Sequence, residues 1–423
     1  MLSFPPEEFA ARRRRVRAAI GRDARALVRG AGPVRSFDVF RQTNEFHYLC
    51  GVETPGAALL IGDVTTLYLP RRDEKTARSD GDVLHADAPD EARRATGVDE
   101  VRPIDTLAPT GPLYVPRMPP EGRYQSRDVL LRVPGEDPDQ AFYESLKGEL
   151  RDLSPILDDL RLIKSPRELA VLRQAGRLSA LGVVEAMRCT RPGVREAELV
   201  AVAEYVHRVN GSAGEGYAPI APSGPRVWHP HWFRNDGVLA AGDWVLLDCA
   251  PDLGYYTSDI GRLWPVSGRF SPLQRQLYGF MTAWHRALLR RIKPGLLPAA
   301  VLAEAAAEME DVIALTRFES PAHEAGARAT LKYRGHLSHP VGMAVHDVGD
   351  YWKRPFAPGL VFAVDPQMWI PEEKIYVRVE DTVAVTETGV EILTAAAPLD
   401  AEAVEKAVGG GGLLQAFPPL EVR

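Results

Sequence analysis

Four acidic residues occupy matching places in two predicted β-hairpins. Asp248 and Asp259 lie in the extended segments DWVLLDCA and YYTSDIGRLWPV and are symmetric about the turn PDLG. Asp365 and Glu380 are symmetric in the same way about the polar turn PEEK. Directly opposed residues share one face of a sheet, with Cβ atoms roughly 5 Å apart. We therefore expect each hairpin to bring two carboxylates together on a half-buried face.

Two carboxylates held this closely repel each other unless a cation or a shared proton offsets their charge. Arg378 lies two residues before Glu380, so both side chains point to the same face of their strand. A single hairpin of this kind is commonly a surface feature. Two of them, each within otherwise apolar strands, indicate a bound metal.

Histidines are clustered near the same hairpins. Five of the ten fall in the segments VWHPHWF and GHLSHPVGMAVHD, namely His229, His231, His336, His339 and His346. Four carboxylates and one imidazole could hold two divalent ions. Oxygen-rich ligation favours Mn²⁺ or Mg²⁺, and imidazole admits Zn²⁺, Co²⁺ or Fe²⁺. Two such ions can activate a water molecule and stabilise the transition state of a hydrolysis.

The elements that position these groups are predicted to be helices alternating with antiparallel hairpins, which is an α+β arrangement. The sequences SPRE at 165–168 and SPLQ at 271–274 are capped helix starts, and they predict helices to about Met187 and Ile292. Before them we expect a helix over residues 7–20 and strands in ARALVRG, AALLIGD and TTLYLP. Residues 80–122 give no clear pattern. We place the domain boundary so that residues 1–154 and 155–423 form the two domains.

Composition excludes several classes of partner. The 423-residue chain has 57 acidic and 51 basic residues, a formal charge of −6, which gives no argument for binding nucleic acid or anionic membranes. The basic run at 12–15 is interpreted as the exposed side of a first helix. Three widely spaced cysteines without a CxxC argue against a disulfide framework. Because no apolar signal or membrane-spanning segment is apparent, we expect a cytoplasmic protein.

The order of these acidic residues and histidines along the chain resembles that of the metal-binding residues in the pita-bread metallopeptidase family (M24). This family includes aminopeptidase P, prolidase and methionine aminopeptidase. The motifs HPVGMAVHDVG and VRVEDTVAV carry the resemblance. The segments EEFAARRRRVRAAI and FRQTNEFHYLCGVETPGAALLI are similar to the N-terminal domain of aminopeptidase P and creatinase, which methionine aminopeptidases usually lack. The resemblance implies a C-terminal α+β pita-bread domain preceded by a smaller α/β creatinase-like domain.

The resemblance also implies roles for individual residues. It implies that the protein uses two divalent ions to hydrolyse the N-terminal Xaa-Pro bond of peptides. Mn²⁺ is the expected ion, with Zn²⁺ or Co²⁺ as alternatives. It assigns the five metal ligands to Asp248, Asp259, His339, Asp365 and Glu380. It makes Asp365 the general base as well, His231 and His346 substrate-binding groups, and Arg378 a residue that supports the site. A homo-oligomer, dimeric or tetrameric, is expected by analogy.

Three positions depart from the family pattern. Asp365 stands where the family has glutamate, and the missing methylene would move its carboxylate by roughly an ångström, which is enough to degrade an aligned proton transfer. Gly261 replaces a threonine whose hydroxyl would lie near the ligands. Trp369 replaces a common tyrosine, and we expect Trp228, Trp232 or Trp369 to line the proline-selective pocket.

Three other functions remain open. A prolidase would use the same ions on the same bond but accept dipeptides only. A metal-free pita-bread domain would act as a binding module, and such domains typically lose ligand residues. A creatinase-like hydrolase of small amidino compounds uses no metal, and the retained acidic ligands disfavour it.

Overall fold

The computed structural model describes residues 4–34, 38–118 and 138–419. The chain divides into two compact units, Met1–Arg161 and Leu162–Arg423. The boundary we placed between residues 154 and 155 stays a prediction.

The N-terminal unit combines one mixed sheet with flanking helices. Its helices are α1 (Pro6–Ile20), α2 (Asn44–Cys50), α3 (Glu74–Asp80), α4 (Pro89–Thr96) and α5 (Pro138–Ser145), with α6 (Ser154–Leu162) at the junction and a 3₁₀ helix at Ile104–Thr106. Its strands are β1 (Arg25–Arg29), β2 (Ala58–Ile61), β3 (Thr66–Leu69), β4 (Glu100–Pro103), β5 (Leu113–Val115) and β6 (Leu150–Asp152). The strand order is β4-β3-β2-β1-β5-β6.

This unit confirms the predicted first helix and the three predicted strands. The β1–β2 and β2–β3 pairs are antiparallel, whereas β3–β4, β1–β5 and β5–β6 are parallel. The region left open at 80–122 contains α4, β4 and β5, and its residues 119–122 lie outside the described part. Leu27, Ala58 and Leu113 are completely buried at the centre of the sheet.

Two arginines of the basic run are buried, so the prediction of an exposed arginine face is wrong for them. Arg12 donates to the carbonyl oxygen of Tyr48, and Arg13 donates to those of Leu49 and Thr96. These carbonyls lie at the C-terminal ends of α2 and α4, where intrahelical partners are missing. Both guanidinium groups therefore cap neighbouring helices instead of facing solvent.

The C-terminal unit is built from helices and short antiparallel pairs. Its helices are α7 (Pro166–Cys189), α8 (Glu196–Val209), α9 (Pro272–Arg291), α10 (Pro298–Leu315), α11 (Pro321–Lys332), α12 (Ala401–Ala407) and α13 (Leu413–Ala416), with a 3₁₀ helix at Gly224–Trp228. Its strands are β7 (Gly214–Glu215), β8 (Trp244–Asp248), β9 (Pro251–Asp252), β10 (Gly261–Pro265), β11 (Val361–Val364), β12 (Gln367–Ile370), β13 (Ile375–Arg378), β14 (Asp381–Val385) and β15 (Val390–Ile392).

These strands pair as β8–β10, β7–β9, β12–β13 and β11–β14–β15. The α7–α8 and α9–α10 helices pack in pairs, α11 packs on β12, and α9 contacts β11 and β13. A large apolar core joins these elements, and it includes buried apolar residues of β8, β10, β11 and β13. The ends of the paired strands are consequently held in fixed positions.

Both predicted helix starts are confirmed. The side chain of Ser165 accepts from the Glu168 N–H while Glu168 accepts from the Ser165 N–H, and Ser271 and Gln274 form the same capping box. The helices end at Cys189 and Arg291, close to the predicted ends. In the described part of the chain, no helix combines the length and the apolar character needed to cross a membrane.

Candidate metal centre

Asp248 and Asp259 lie on one face of the β8–β10 pair, but they are not directly opposite each other. The register places Gly261 opposite Asp248, and Asp259 comes two residues before Gly261. The turn is centred one residue later than predicted, on Gly254 and Tyr255, which both have positive φ. The bridge between Leu253 and Tyr256 closes this turn and continues the register of the β8–β10 pair. The predicted register is therefore wrong by two positions, whereas the shared face is retained.

Asp365 and Glu380 are opposite each other, as predicted. The β11–β14 and β12–β13 pairs flank this position and continue one register through it. The two carboxylates therefore lie at the junction where β11 passes into β12 and β13 passes into β14.

Three of the predicted ligands form a compact donor set. One donor atom from each of Asp259, His339 and Glu380 lies within 4.8 Å of the other two. His339 Nε2 is 3.3 Å from Asp259 Oδ2, and His339 Nδ1 is 3.1 Å from the carbonyl oxygen of Pro340. A proton on Nδ1 satisfies that carbonyl and leaves the Nε2 lone pair facing the carboxylates, which is the orientation of a metal-binding imidazole.

Arg378 joins the other two predicted ligands to this set. Its guanidinium donates to Asp248 Oδ2 at 2.9 Å, to Asp365 Oδ1 at 2.8 Å and to Glu380 Oε2. Burial alone lowers the pKa of Arg378, but the three carboxylates outweigh burial and hold that pKa well above its ordinary value. Arg378 is therefore a fixed positive charge within a group of four acidic side chains.

The negative charge of the cluster exceeds what Arg378 can offset. Burial, reinforced by neighbouring carboxylates, raises the pKa of Asp248 to about 6 and raises that of Asp259 above its ordinary value. The same causes raise the pKa of Glu380 well above its usual range. Glu380 is 0% exposed, and its Oε1 has no hydrogen-bond partner among the described residues. A buried acceptor is costly when unsatisfied, so a divalent cation fits this set of carboxylate and imidazole donors.

Tyr217 and Thr382 position Asp248 and Asp259, and neither was predicted from the sequence. The Tyr217 hydroxyl lies within hydrogen-bond distance of Asp248 Oδ1 and 3.0 Å from Asp259 Oδ1, and it can donate to one of them at a time. Thr382 Oγ1 accepts from the Asp259 N–H and donates to its carbonyl oxygen, both at 2.8 Å. Thr382 belongs to the motif VRVEDTVAV, whereas nothing in the segment around Tyr217 distinguished it from a core tyrosine.

The two predicted substrate-binding histidines lie beside the cluster. The ring of His346 stacks on that of His339, with centroids 3.7 Å apart. His231 lies close enough to Arg378 and Asp248 for their charges to shift its pKa. Partial desolvation and then Arg378 lower the pKa of His231, which favours its neutral form at pH 7. The structure thus gathers every residue of the predicted site into one region of the C-terminal unit.

Gly261 leaves space for the cluster. A Cβ at this position would lie 3.1 Å from Glu380 Oε2 and 3.3 Å from Arg378 Nε. From the sequence alone, Gly261 meant only the loss of a hydroxyl group. The structure adds that a side chain here would press on both Glu380 and Arg378.

A cavity of about 380 Å³ lies next to Asp365, which forms part of its wall. Trp284, Leu288 and Leu302 line its buried part, and each is 3% exposed or less. Ala329 lines it on the solvent-accessible side. The cavity therefore offers an apolar interior beside a carboxylate.

Of the three tryptophans expected to line a proline-selective pocket, Trp369 lines this cavity. Their role in proline selectivity stays a prediction. Trp228 packs edge-on against Trp369, with ring centroids 5.0 Å apart. The indole N–H of Trp232 instead donates to Asp236 at 3.2 Å.

The chain matches two family models. Residues 170–387 match metallopeptidase family M24, and residues 9–115 match the aminopeptidase P N-terminal domain. The chain is 30% identical to the Xaa-Pro aminopeptidases of Haemophilus influenzae and Escherichia coli, with 96% of this chain and 98% of each relative covered. It is 29% identical to Xaa-Pro aminopeptidase 3 of Rattus norvegicus, over 94% of this chain and 85% of that protein.

Solved structures give the same result. Aminopeptidase PepP of Pseudomonas aeruginosa superposes with a TM-score of 0.80 at 27% identity, covering 96% of this chain and 98% of that one. Aminopeptidase P of Escherichia coli with the inhibitor Pro-Leu gives the same values. The predicted fold, an α+β pita-bread domain after a smaller α/β domain, is confirmed. The chain belongs to metallopeptidase family M24 and carries an aminopeptidase P N-terminal domain.

Proposed function

We propose that this protein is a metal-dependent Xaa-Pro aminopeptidase, which releases the N-terminal residue of peptides that have proline at the second position. The observation that carries the proposal is the buried donor set of Asp259, His339 and Glu380, to which Arg378 ties the remaining carboxylates. Likeness to Xaa-Pro aminopeptidases over 96% of the chain supports this substrate class.

The metal ligands in this proposal are five residues that supply only oxygen and imidazole nitrogen. They are Asp248, Asp259, His339, Asp365 and Glu380. This donor chemistry suits two divalent ions, with Mn²⁺ as our first choice and Zn²⁺ or Co²⁺ as alternatives. When bound, such ions supply Lewis acidity and an activated water.

The other residues handle protons and developing charge. Asp365 accepts a proton from the attacking water and returns it to the proline nitrogen, which must be protonated to leave. His346 donates a hydrogen bond to the scissile carbonyl oxygen as negative charge develops on it. His231 contacts the residue after the scissile bond. Arg378 keeps the acidic side chains at fixed separations before and during the reaction.

The cavity beside Asp365 is the place we assign to the side chain of the first residue. Its buried wall of Trp284, Leu288 and Leu302 is apolar, and its volume of about 380 Å³ exceeds what an alanine methyl group needs. Peptides that begin with a large apolar residue should therefore bind better than those that begin with alanine.

The proposal extends to location and assembly. All three cysteines are buried and free, which favours a reducing compartment, and we propose the cytoplasm. By analogy with the family we propose a dimer or tetramer, which light scattering on the purified protein would measure.

The function is tested with metal-free protein reconstituted with Mn²⁺ and incubated with Ala-Pro-Ala, Ala-Pro and Ala-Ala-Ala. The expected result is release of alanine and Pro-Ala from the first peptide alone. Cleavage of Ala-Pro alone would identify a prolidase, and cleavage of Ala-Ala-Ala would remove the proline requirement. If Mn²⁺, Zn²⁺ and Co²⁺ all fail to support cleavage, the site is a binding module.

A further inference from the structure

Asp365 is held at both of its carboxylate oxygens. Arg378 Nε donates to Oδ1 at 2.8 Å, and Gln367 Nε2 donates to Oδ2 at 2.6 Å. Only 5% of the Asp365 side chain is exposed, so solvent offers few competing donors. Two contacts at different oxygens fix both the position and the rotation of the carboxylate, whereas a single contact would leave rotation about that bond free.

The two donors come from paired strands. Gln367 begins β12 and is the cross-strand partner of Arg378, the last residue of β13. Gln367 also lies two residues after Asp365, so both side chains point to the same face. Strand pairing therefore determines where both donors lie, and no movement of a loop is needed to bring them to Asp365.

The chemistry of the second donor differs from that of the first. A carboxylate has about four lone-pair sites, so Asp365 can accept from Gln367 and Arg378 and still offer an oxygen lone pair to a proton or a cation. The amide of Gln367 is neutral. It orients the carboxylate without adding positive charge that would oppose a divalent ion.

We propose that Gln367 is a positioning residue that holds the short Asp365 side chain in its working orientation, an inference that rests on the proposed function. Asp365 has one methylene fewer than glutamate and cannot reach as far into the cluster. The bond from Gln367 compensates by restricting the shorter carboxylate to one orientation. Gln367 acts through Asp365 and does not itself touch the reacting atoms.

The test compares Gln367→Leu and Gln367→Asn with Gln276→Leu. Leucine removes the amide at similar size, and asparagine keeps an amide that is too short to reach Asp365. Gln276 is the matched control, because its amide donates to a backbone carbonyl, that of Arg317, at 2.7 Å, and it lies on α9 apart from the acidic cluster. Ala-Pro-Ala is the substrate, since its first side chain is too small to depend on the cavity wall that Gln367 helps to form. Thermal unfolding of each variant shows whether it is folded.

Removing a partner that orients a metal ligand typically costs roughly 10- to 100-fold in activity or metal affinity. We therefore expect both Gln367 variants to lose kcat by about 10-fold or more with KM within about twofold, and to bind Mn²⁺ about 10-fold more weakly by calorimetry. Gln276→Leu should match the wild type. Wild-type kcat and Mn²⁺ affinity in Gln367→Leu, or a loss confined to KM, would overturn the assignment. If the wild type itself releases no alanine, the proposed function fails, and the calorimetry still decides whether Gln367 positions Asp365.

Discussion

Replacing Arg378 with lysine keeps the positive charge of the cluster but removes its planar fork. The guanidinium donates from three different nitrogens to Asp248, Asp365 and Glu380. A lysine ammonium is a compact point charge and cannot match this geometry. We expect Arg378→Lys to keep one of the three bonds and to lose the other two.

The magnitude follows from those two bonds. A hydrogen bond to a charged group contributes about 1.5–3 kcal/mol, so two lost bonds cost about 3–6 kcal/mol, and relaxation of the site should reduce the loss of stability to about 3 kcal/mol. For a unit the size of Leu162–Arg423, a change of 1 kcal/mol in stability corresponds to roughly 2–4 °C in Tm. The Tm of Arg378→Lys should therefore decrease by roughly 6–12 °C. With Mn²⁺ bound the decrease should be smaller, because the cation then offsets part of the carboxylate charge.

The assay is thermal unfolding in EDTA and in Mn²⁺, read at the transition that Mn²⁺ shifts. Arg173→Lys is the matched control, since Arg173 forms an ion pair with Glu391 at the surface, where their side chains are 48% and 37% exposed. Exposed pairs contribute about 0–1 kcal/mol, so this control should change Tm by only a few degrees under either condition. The reasoning is refuted if Arg378→Lys behaves like Arg173→Lys in EDTA, or if Mn²⁺ leaves its decrease in Tm unchanged.

Three further predictions concern the pH dependence, the metal and the substrate. Burial raises the pKa of Asp248 to about 6, above its value of about 3.9 in the unfolded chain. Between pH 4 and pH 7 the free energy of unfolding of the metal-free protein should therefore fall by about 2–3 kcal/mol relative to that of Asp248→Asn. Denaturant unfolding in EDTA measures the difference, and a constant difference would contradict it. Asp259→Asn replaces an oxygen of a proposed ligand with an NH₂ group and should weaken Mn²⁺ binding by about 100-fold or more in calorimetry. This exceeds the roughly 10- to 100-fold expected when a residue that only orients a ligand is lost. Ala329→Phe should fill the cavity and raise KM for Phe-Pro-Ala by about 10-fold, while KM for Ala-Pro-Ala stays nearly unchanged. Equal changes in KM for both peptides would show that the side chain of the first residue binds elsewhere.

The sequence predicted the second carboxylate pair better than the first, and the strands show why. Asp365 and Glu380 lie between two continuous antiparallel pairs, so counting from the turn gives the correct register. Between Asp248 and Asp259 the turn lies on Gly254 and Tyr255, one residue later than the segment PDLG indicated, and a shift of one residue in the turn moves the strand register by two. Tyr255 has a φ of 74°, and because a bulky residue rarely adopts positive φ, the sequence did not mark it as a turn residue.

Contacts over long sequence separations account for the other omissions. Tyr217 reaches Asp248 because its segment pairs on both sides, β7 with β9 and Ile220 with Asp248 itself. No local pattern marks a tyrosine in that segment. Arg12 and Arg13 belong to a run typical of a solvated helix face, yet they satisfy carbonyls at the ends of two other helices. Helix caps, by contrast, depend on four consecutive residues, which is why those at Ser165 and Ser271 were predictable.

The arrangement of charge explains why the cluster contains one arginine and one neutral amide. The four acidic residues lie on buried strands or directly next to them, so strand pairing holds their carboxylates together even without a cation, and their repulsion destabilises the metal-free protein. One guanidinium reduces that repulsion and spaces three of the carboxylates. A second cation would reduce it further, but it would also compete with the divalent ions for the same charge. At Asp365, where orientation is needed rather than charge, the neutral amide of Gln367 meets both requirements.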